Sequence, residues 1–151
     1  MQSTDLILAI LHHLLILMYA GIFIAEAFLV RPGLAGANLA TVGRLDSMYG
    51  SIAGAVILVG IGRVVFGLKG WEFYVAYWAF WAKMAAFLAM GLLSIVPTMR
   101  IIQWRKAAAA NPAYVVPESE IAVARNFIRA EAVMFALVPV FAAIMARGIG
   151  Y

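Results

Sequence analysis

WAFWAKMAAFLAMGLLSIVPTMR, residues 78–100, is the stretch whose reading decides the fold. It is apolar over the length of about 20 residues that a helix needs to cross a bilayer. It also carries a lysine, Lys83, well inside the run. An ammonium at bilayer depth costs at least about 2.5–3.5 kcal/mol on insertion scales. A partner or a ligand inside a helix bundle is the expected way to offset that cost.

The rest of the chain agrees with a membrane protein. Of 151 residues, 66% are hydrophobic and 12% are charged, against about 45–50% and about 25% in soluble domains. The mean hydropathy is +1.00. With no cysteine, disulfides, thiolate metal sites and cysteine nucleophiles are excluded. The net charge of +4 is spread over helix ends, where orientation signals and phospholipid contacts explain it, so no nucleic-acid partner is expected. No glycine-rich phosphate loop, Ser/His/Asp set or zinc-like spacing occurs. The methionines, Met84, Met90 and Met134 among them, lack clustered spacing and read as core filling rather than a Cu(I) site.

Working outward from residue 78, four spans emerge. The first runs from about Thr4 to Val30 and ends at the breaker Arg31-Pro32-Gly33. It is too long for a signal-peptide core and no positive residue precedes it, so it reads as a retained helix. The second runs from about Leu45 to Phe66, followed by a Leu68-Lys69-Gly70 turn. The third runs from about Trp71 to Trp104, with Pro97 bending its last turns. The fourth runs from about Ser119 to Arg147, capped by Ser119 or Glu118 and carrying Pro139 inside. The expected architecture is a single all-α domain: an antiparallel, integral-membrane four-helix bundle with both termini on one side. Arg31, Arg44, Arg100, Arg105, Lys106 and Arg125 lie on the side of the two longer connections. The positive-inside rule then places that side in the cytoplasm and the termini outside. Trp71, Tyr74, Tyr77 and Trp78 cluster where the third span enters, as interfacial aromatics do.

Residues seven apart share a helical face. His12, Tyr19 and Glu26 fall at that spacing, which makes His12 a better interior candidate than His13, rotated by about 100°. Asp46, Tyr49, Ala53, Val56, Gly60 and Arg63 form a stripe on the second span. Phe80, Lys83, Phe87, Met90, Ser94 and Pro97 form one on the third. On the fourth, Arg125, Arg129, Ala132, Ala136, Pro139 and Ala143 line up as the inward face. Glu131 lies about 200° from Arg129, so the two cannot both point at the bundle centre. Gly50 and Gly54 make a small-xxx-small pair that permits close helix approach.

Depth sorts the polar groups into two layers. His12 and Lys83 both lie roughly 12–18 Å from the outer surface, with Arg63 shallower. The inner layer holds Glu26, Arg44, Asp46, Tyr49, Arg100, Arg129 and Glu131, in which Glu26, Glu131, Arg129 and the Arg44/Asp46 pair suit buried ion pairs or a proton path. In the outer layer a neutral His12 imidazole can ligate haem iron. Lys83 can be a second ligand or contact a carboxylate, while Arg63 and Lys69 can hold propionates. The structural alternative is a histidine bonded to a backbone carbonyl and a lysine snorkelling outward. Since His12 and His13 are adjacent on one helix, bis-histidine ligation of one haem requires a homodimer.

Several motifs together resemble one family: LHHL with a later glutamate in the first span, RLDSMYG and GRVVFGLKG in the second, FWAKMAAF with GLLSIVPT in the third, and IRAEAV with MARGIG in the fourth. The chain resembles, over nearly its whole length, the uncharacterised bacterial membrane-protein family catalogued as domain of unknown function 2214. That resemblance implies location in the bacterial inner membrane and no particular activity. More distantly, the helix 1 histidine, the WxxK motif and the helix 4 glutamate are similar to the four-helix protoporphyrinogen IX oxidases and the copper-resistance D-type membrane domains. By that similarity His12 or His13, Lys83 and Glu131 match the oxidases' histidine, lysine and glutamate, and haem b or porphyrin is the implied cofactor. Ala130-Glu131-Ala132 stands where the oxidases have Asn-Glu followed by proline, and Leu17-Met18-Tyr19 replaces their tryptophan-rich segment. Three functions are expected to compete: porphyrin-linked redox chemistry, a non-catalytic accessory or assembly subunit in a homo-oligomer or larger complex, and ion or proton conduction through Glu26 and Glu131.

Overall fold

A computed structural model describes residues 2–150. Five helices follow one another: α1 (Gln2–Leu29), α2 (Gly36–Phe66), α3 (Gly70–Ala76), α4 (Trp78–Ala110) and α5 (Glu118–Ala146). Apart from the short α3, each is long and apolar enough to cross a membrane. The protein is an all-helical membrane bundle. Its outer surface is greasy: Phe28 is 75% exposed and Leu58 72%, as the lipid-facing side of a span must be.

Two hairpins build the bundle. α1 packs along α2, α4 packs along α5, and α2 joins the hairpins through α4. Across the middle, α1 reaches α4 and α5 through aromatic rings. Tyr19 lies 6.3 Å from Phe87 and 5.9 Å from Phe135, centroid to centroid. Phe23 lies 5.9 Å from Phe135. Edge and tilted ring contacts of this kind hold helices apart by a ring's width while still excluding lipid.

Both longer connections lie at one end, tied by backbone. Gly33 takes a φ of +81°, the left-handed conformation that glycine adopts without strain, and reverses the chain after α1. The following Leu34 is buried, and its carbonyl accepts the Val116 N–H at 3.0 Å. Ala35 and Val115 pair as an isolated antiparallel bridge. The two connections therefore form one structure, called here the connection end. The termini lie at the other, terminal end.

The structure departs from the sequence reading at several helix ends; α4 continues to Ala110, six residues beyond Trp104. α2 begins at Gly36 rather than near Leu45, because a helix continues beyond the stretch that its apolar content marks as a span. The third helix is divided: Tyr77 is extended (φ −98°, ψ 119°) between α3 and α4. Tyr77 is 1% exposed, and its hydroxyl is shared between the Ile144 and Ile149 carbonyls at 3.1 and 2.6 Å. That anchorage to the end of α5 is tertiary, so no local breaker announced it. Finally, neither Ser119 nor Glu118 caps α5; Pro117 occupies the cap position with no side-chain hydrogen bond. Glu118 and Glu120 instead place negative charge on the first turn, where the helix dipole favours it. α4 runs through Pro97 and α5 through Pro139 without leaving the helical conformation.

Candidate functional site

Two polar layers of opposite charge occupy the bundle. The layer nearer the terminal end is cationic. His12 from α1, Arg63 from α2 and Lys83 from α4 are each half-buried and lie within electrostatic reach of one another. The His12 ring rests on Gly60, where an added Cβ would stand 3.5 Å from Cε1. The imidazole edge carrying Cε1 and Nδ1 therefore packs against α2 at this position. His12 Nδ1 and Arg63 Nε are buried without a hydrogen-bond partner among the described residues. Lys83 Nζ stands 5.6 Å from the Phe80 ring centroid, a cation–π contact. Among the described residues, the ion pair formed is Arg100–Glu120, so Arg63, Lys83 and the His12 ring have no carboxylate partner there. Lys69 lies apart, with Nζ 4.5 Å from the Phe73 ring. His13 is exposed, and its Nδ1 is within 2.7 Å of the Ala9 carbonyl on its own helix.

The layer nearer the connection end is acidic. Glu26 is 7% exposed, Asp46 9% and Glu131 2%. They come from α1, α2 and α5. The Tyr49 hydroxyl donates to Glu131 Oε2 at 3.1 Å. The Thr98 hydroxyl donates to Asp46 Oδ1 at 2.6 Å. Glu26 Oε2 is buried without a hydrogen-bond partner among the described residues. Tyr19 stacks on Tyr49 with centroids 4.4 Å apart and planes 11° from parallel. This stack separates the acidic layer from the cationic one.

The ion pairs expected in the inner layer are not formed. Arg44 and Arg129 are exposed, and Arg129 Nη1 donates to Asn126 Oδ1 at 3.2 Å. The proposed inward stripe of the fourth span is corrected accordingly. Arg129, Ala132, Ala136, Pro139 and Ala143 are exposed, while Ile121, Ala124, Ile128 and Glu131 face inward. The physical reason is the competition noted in the sequence: with Glu131 turned inside, Arg129 must turn out. The cation that serves the acidic layer is Arg105, which acts on Asp46. Its aliphatic chain crosses Gly43, where any Cβ would collide with it.

Thr98 and the Trp104–Glu120 pair escaped the sequence reading, which placed Arg105 only among the basic residues of the connection side. Trp104 is 1% exposed, and its Nε1 donates to Glu120 Oε2 at 2.6 Å. Arg100 approaches the same oxygen at 3.3 Å. A buried Asp46 signals the need for a donor, but its spacing does not say that Thr98, 52 residues away, provides it.

Among the described residues, no group of three or more His, Cys, Asp or Glu side chains is arranged to hold a metal ion. A search of curated proteins and of solved structures found no match to the chain. The family model described as predicted membrane protein (DUF2214) matches residues 4–150. With four apolar helices of spanning length and a match over nearly its full extent, the chain belongs to the DUF2214 family of predicted membrane proteins.

Proposed function

We propose that the cationic layer is a binding site for an anionic, largely apolar ligand of the haem or porphyrin class. One observation carries this reading: two cationic side chains and an imidazole from three helices converge inside an apolar bundle, with no carboxylate in ion-pair contact among the described residues. Charges of one sign gathered out of water repel, and each loses hydration. An anion brought to them offsets both costs. The chemistry of the donors narrows the class. His12 offers an unpartnered ring nitrogen suited to an axial iron ligand. Arg63 and Lys83 suit carboxylates, Arg63 with a fork that can bind one bidentately.

A bound haem would supply one-electron redox chemistry at this site. The chain's own residues orient the ligand by charge, exclude water with Phe80 and the helix faces, and keep His12 against Gly60. An absorption spectrum of the protein purified from its native membrane tests the reading. A Soret band, present on purification or restored by added haem, supports it. Its absence in both preparations rules the haem reading out.

A second reading is favoured by a different observation. Gly50 and Gly54 are exposed, with nothing within 4 Å of where a Cβ would lie. The small-xxx-small face is unused within the chain, which suits an accessory subunit that packs against another span. Gentle-detergent co-purification decides between a lone monomer and a complex. The connection end carries most of the positive charge, which supports a cytoplasmic connection end and the bacterial inner membrane as the location.

A further inference from the structure

A groove of about 500 Å³ opens at the connection end between the first connection and α5. Pro32 forms one wall, and Ile121 and Ala122 form an apolar floor. Arg125 and Arg129, one turn apart, face it together with Asn126. Glu118 stands at its rim as the one acidic group among the lining residues, two turns from Arg125.

The arginines are held in place rather than free. Arg125 Nη1 donates to the Val30 carbonyl at 3.0 Å, which leaves the guanidinium's other donors available. Arg129 Nη1 donates back along the helix to Asn126 Oδ1 at 3.2 Å. That turns its charge toward the connection end. α5 has 29 residues, or about 43 Å at 1.5 Å per residue, against roughly 30 Å of hydrocarbon. The excess of about 13 Å is enough for the first turns to reach the headgroup region, with the arginine pair at the boundary. Below the pair, Ala132, Ala136, Pro139 and Ala143 are exposed on the same face. Their small side chains give a low-relief strip that continues from the guanidiniums along the spanning part of α5.

We propose that this groove binds one anionic phospholipid, with its phosphate on Arg125 and Arg129 and an acyl chain along the low-relief strip. Charge complementarity selects an anionic lipid over a zwitterionic one. The strip's continuity with the arginines suits a molecule that has both a phosphate and a tail.

Native mass spectrometry of the full chain, released from bilayers of equal phosphatidylglycerol and phosphatidylcholine, tests this. The wild type should retain phosphatidylglycerol preferentially. Arg129→Gln, whose side chain bonds within its own helix, should lower that preference about fivefold, and the pair Arg125→Gln/Arg129→Gln about thirtyfold. Arg44→Gln, another exposed arginine of the same end, should leave it unchanged. Helical content by circular dichroism identifies any variant that has lost its fold, and Arg129→Gln alone then decides. Equal retention of the two lipids overturns the proposal. So does a preference that survives Arg129→Gln, or a variant that alters the dimer fraction in place of lipid retention.

Discussion

Removing the Tyr49 hydroxyl isolates the contact that organises the acidic layer. Tyr49 is 6% exposed and Glu131 2%, and their hydrogen bond is 3.1 Å long. Tyr49→Phe keeps the ring stacked on Tyr19 at 4.4 Å and deletes the hydroxyl, which donates to Glu131 and also lies within hydrogen-bonding reach of Tyr19. A buried acceptor left unmade costs about 1–3 kcal/mol in soluble proteins. Interhelical hydrogen bonds in membranes average about 0.6 kcal/mol, because the unfolded chain in lipid also finds partners. The buried position favours the upper part of the membrane range, so the expected loss is about 1 kcal/mol, roughly a fivefold change in the unfolding equilibrium. Tyr49→Leu also discards the stack and leaves a cavity, and should cost about 2–4 kcal/mol. Reversible unfolding in mixed SDS micelles, followed by circular dichroism, measures these losses. The decisive variant is the double, Tyr49→Phe/Glu131→Leu. Glu131→Leu leaves the Tyr49 hydroxyl with Tyr19 alone in reach, and the double variant removes both partners of the bond, so its loss should be smaller than the sum of the two single losses. Glu131 also acts electrostatically on Glu26, and the cycle subtracts that contribution from the pair term. Effects that add to within about 0.5 kcal/mol would show that the hydroxyl and carboxylate do not interact.

Three further expectations concern the same scaffold. At Gly67 a Cβ would strike the Arg63 backbone carbonyl, whereas at Gly43 it would strike only the Arg105 side chain. Micelle unfolding should therefore show Gly67→Ala losing more than about 1 kcal/mol and Gly43→Ala less than about 0.5 kcal/mol. Trp104→Phe removes the donor to Glu120 Oε2 and part of a fully buried ring, and a loss of about 2–3 kcal/mol by the same unfolding measurement is expected. Gly50→Leu should leave monomer stability within about 0.5 kcal/mol, since open space surrounds it; a shift in oligomer size by light scattering would instead place that face in an interface.

Much of the bundle was legible in the chain because lipid imposes a simple rule. Every backbone group must be satisfied internally, so a run of about 20 apolar residues can hardly be anything but a helix. The Arg31-Pro32-Gly33 breaker and the Lys69-Gly70 turn then divide the helices. Seven-residue spacing put His12, Tyr19 and Glu26 on one face, and the structure shows Tyr19 and Glu26 buried with His12 half-buried. The same spacing misled on α5. Its arginine–alanine stripe is as regular as its inward face, and only the choice between Arg129 and Glu131 at the core breaks the tie. Tertiary bonds were the least visible. The Tyr77 break, the Ala35–Val115 bridge and the Thr98–Asp46 contact join residues far apart in the chain, and no local pattern encodes such pairings.

The central claim is that His12, and not its neighbour, presents a ligand nitrogen to the cationic layer. Titration of haemin into His12→Ala and His13→Ala proteins in lipid nanodiscs, read at the Soret band, tests it most directly. The expected result is a band lost in His12→Ala and largely kept in His13→Ala. Equal binding by the two variants, or loss in His13→Ala alone, would contradict it.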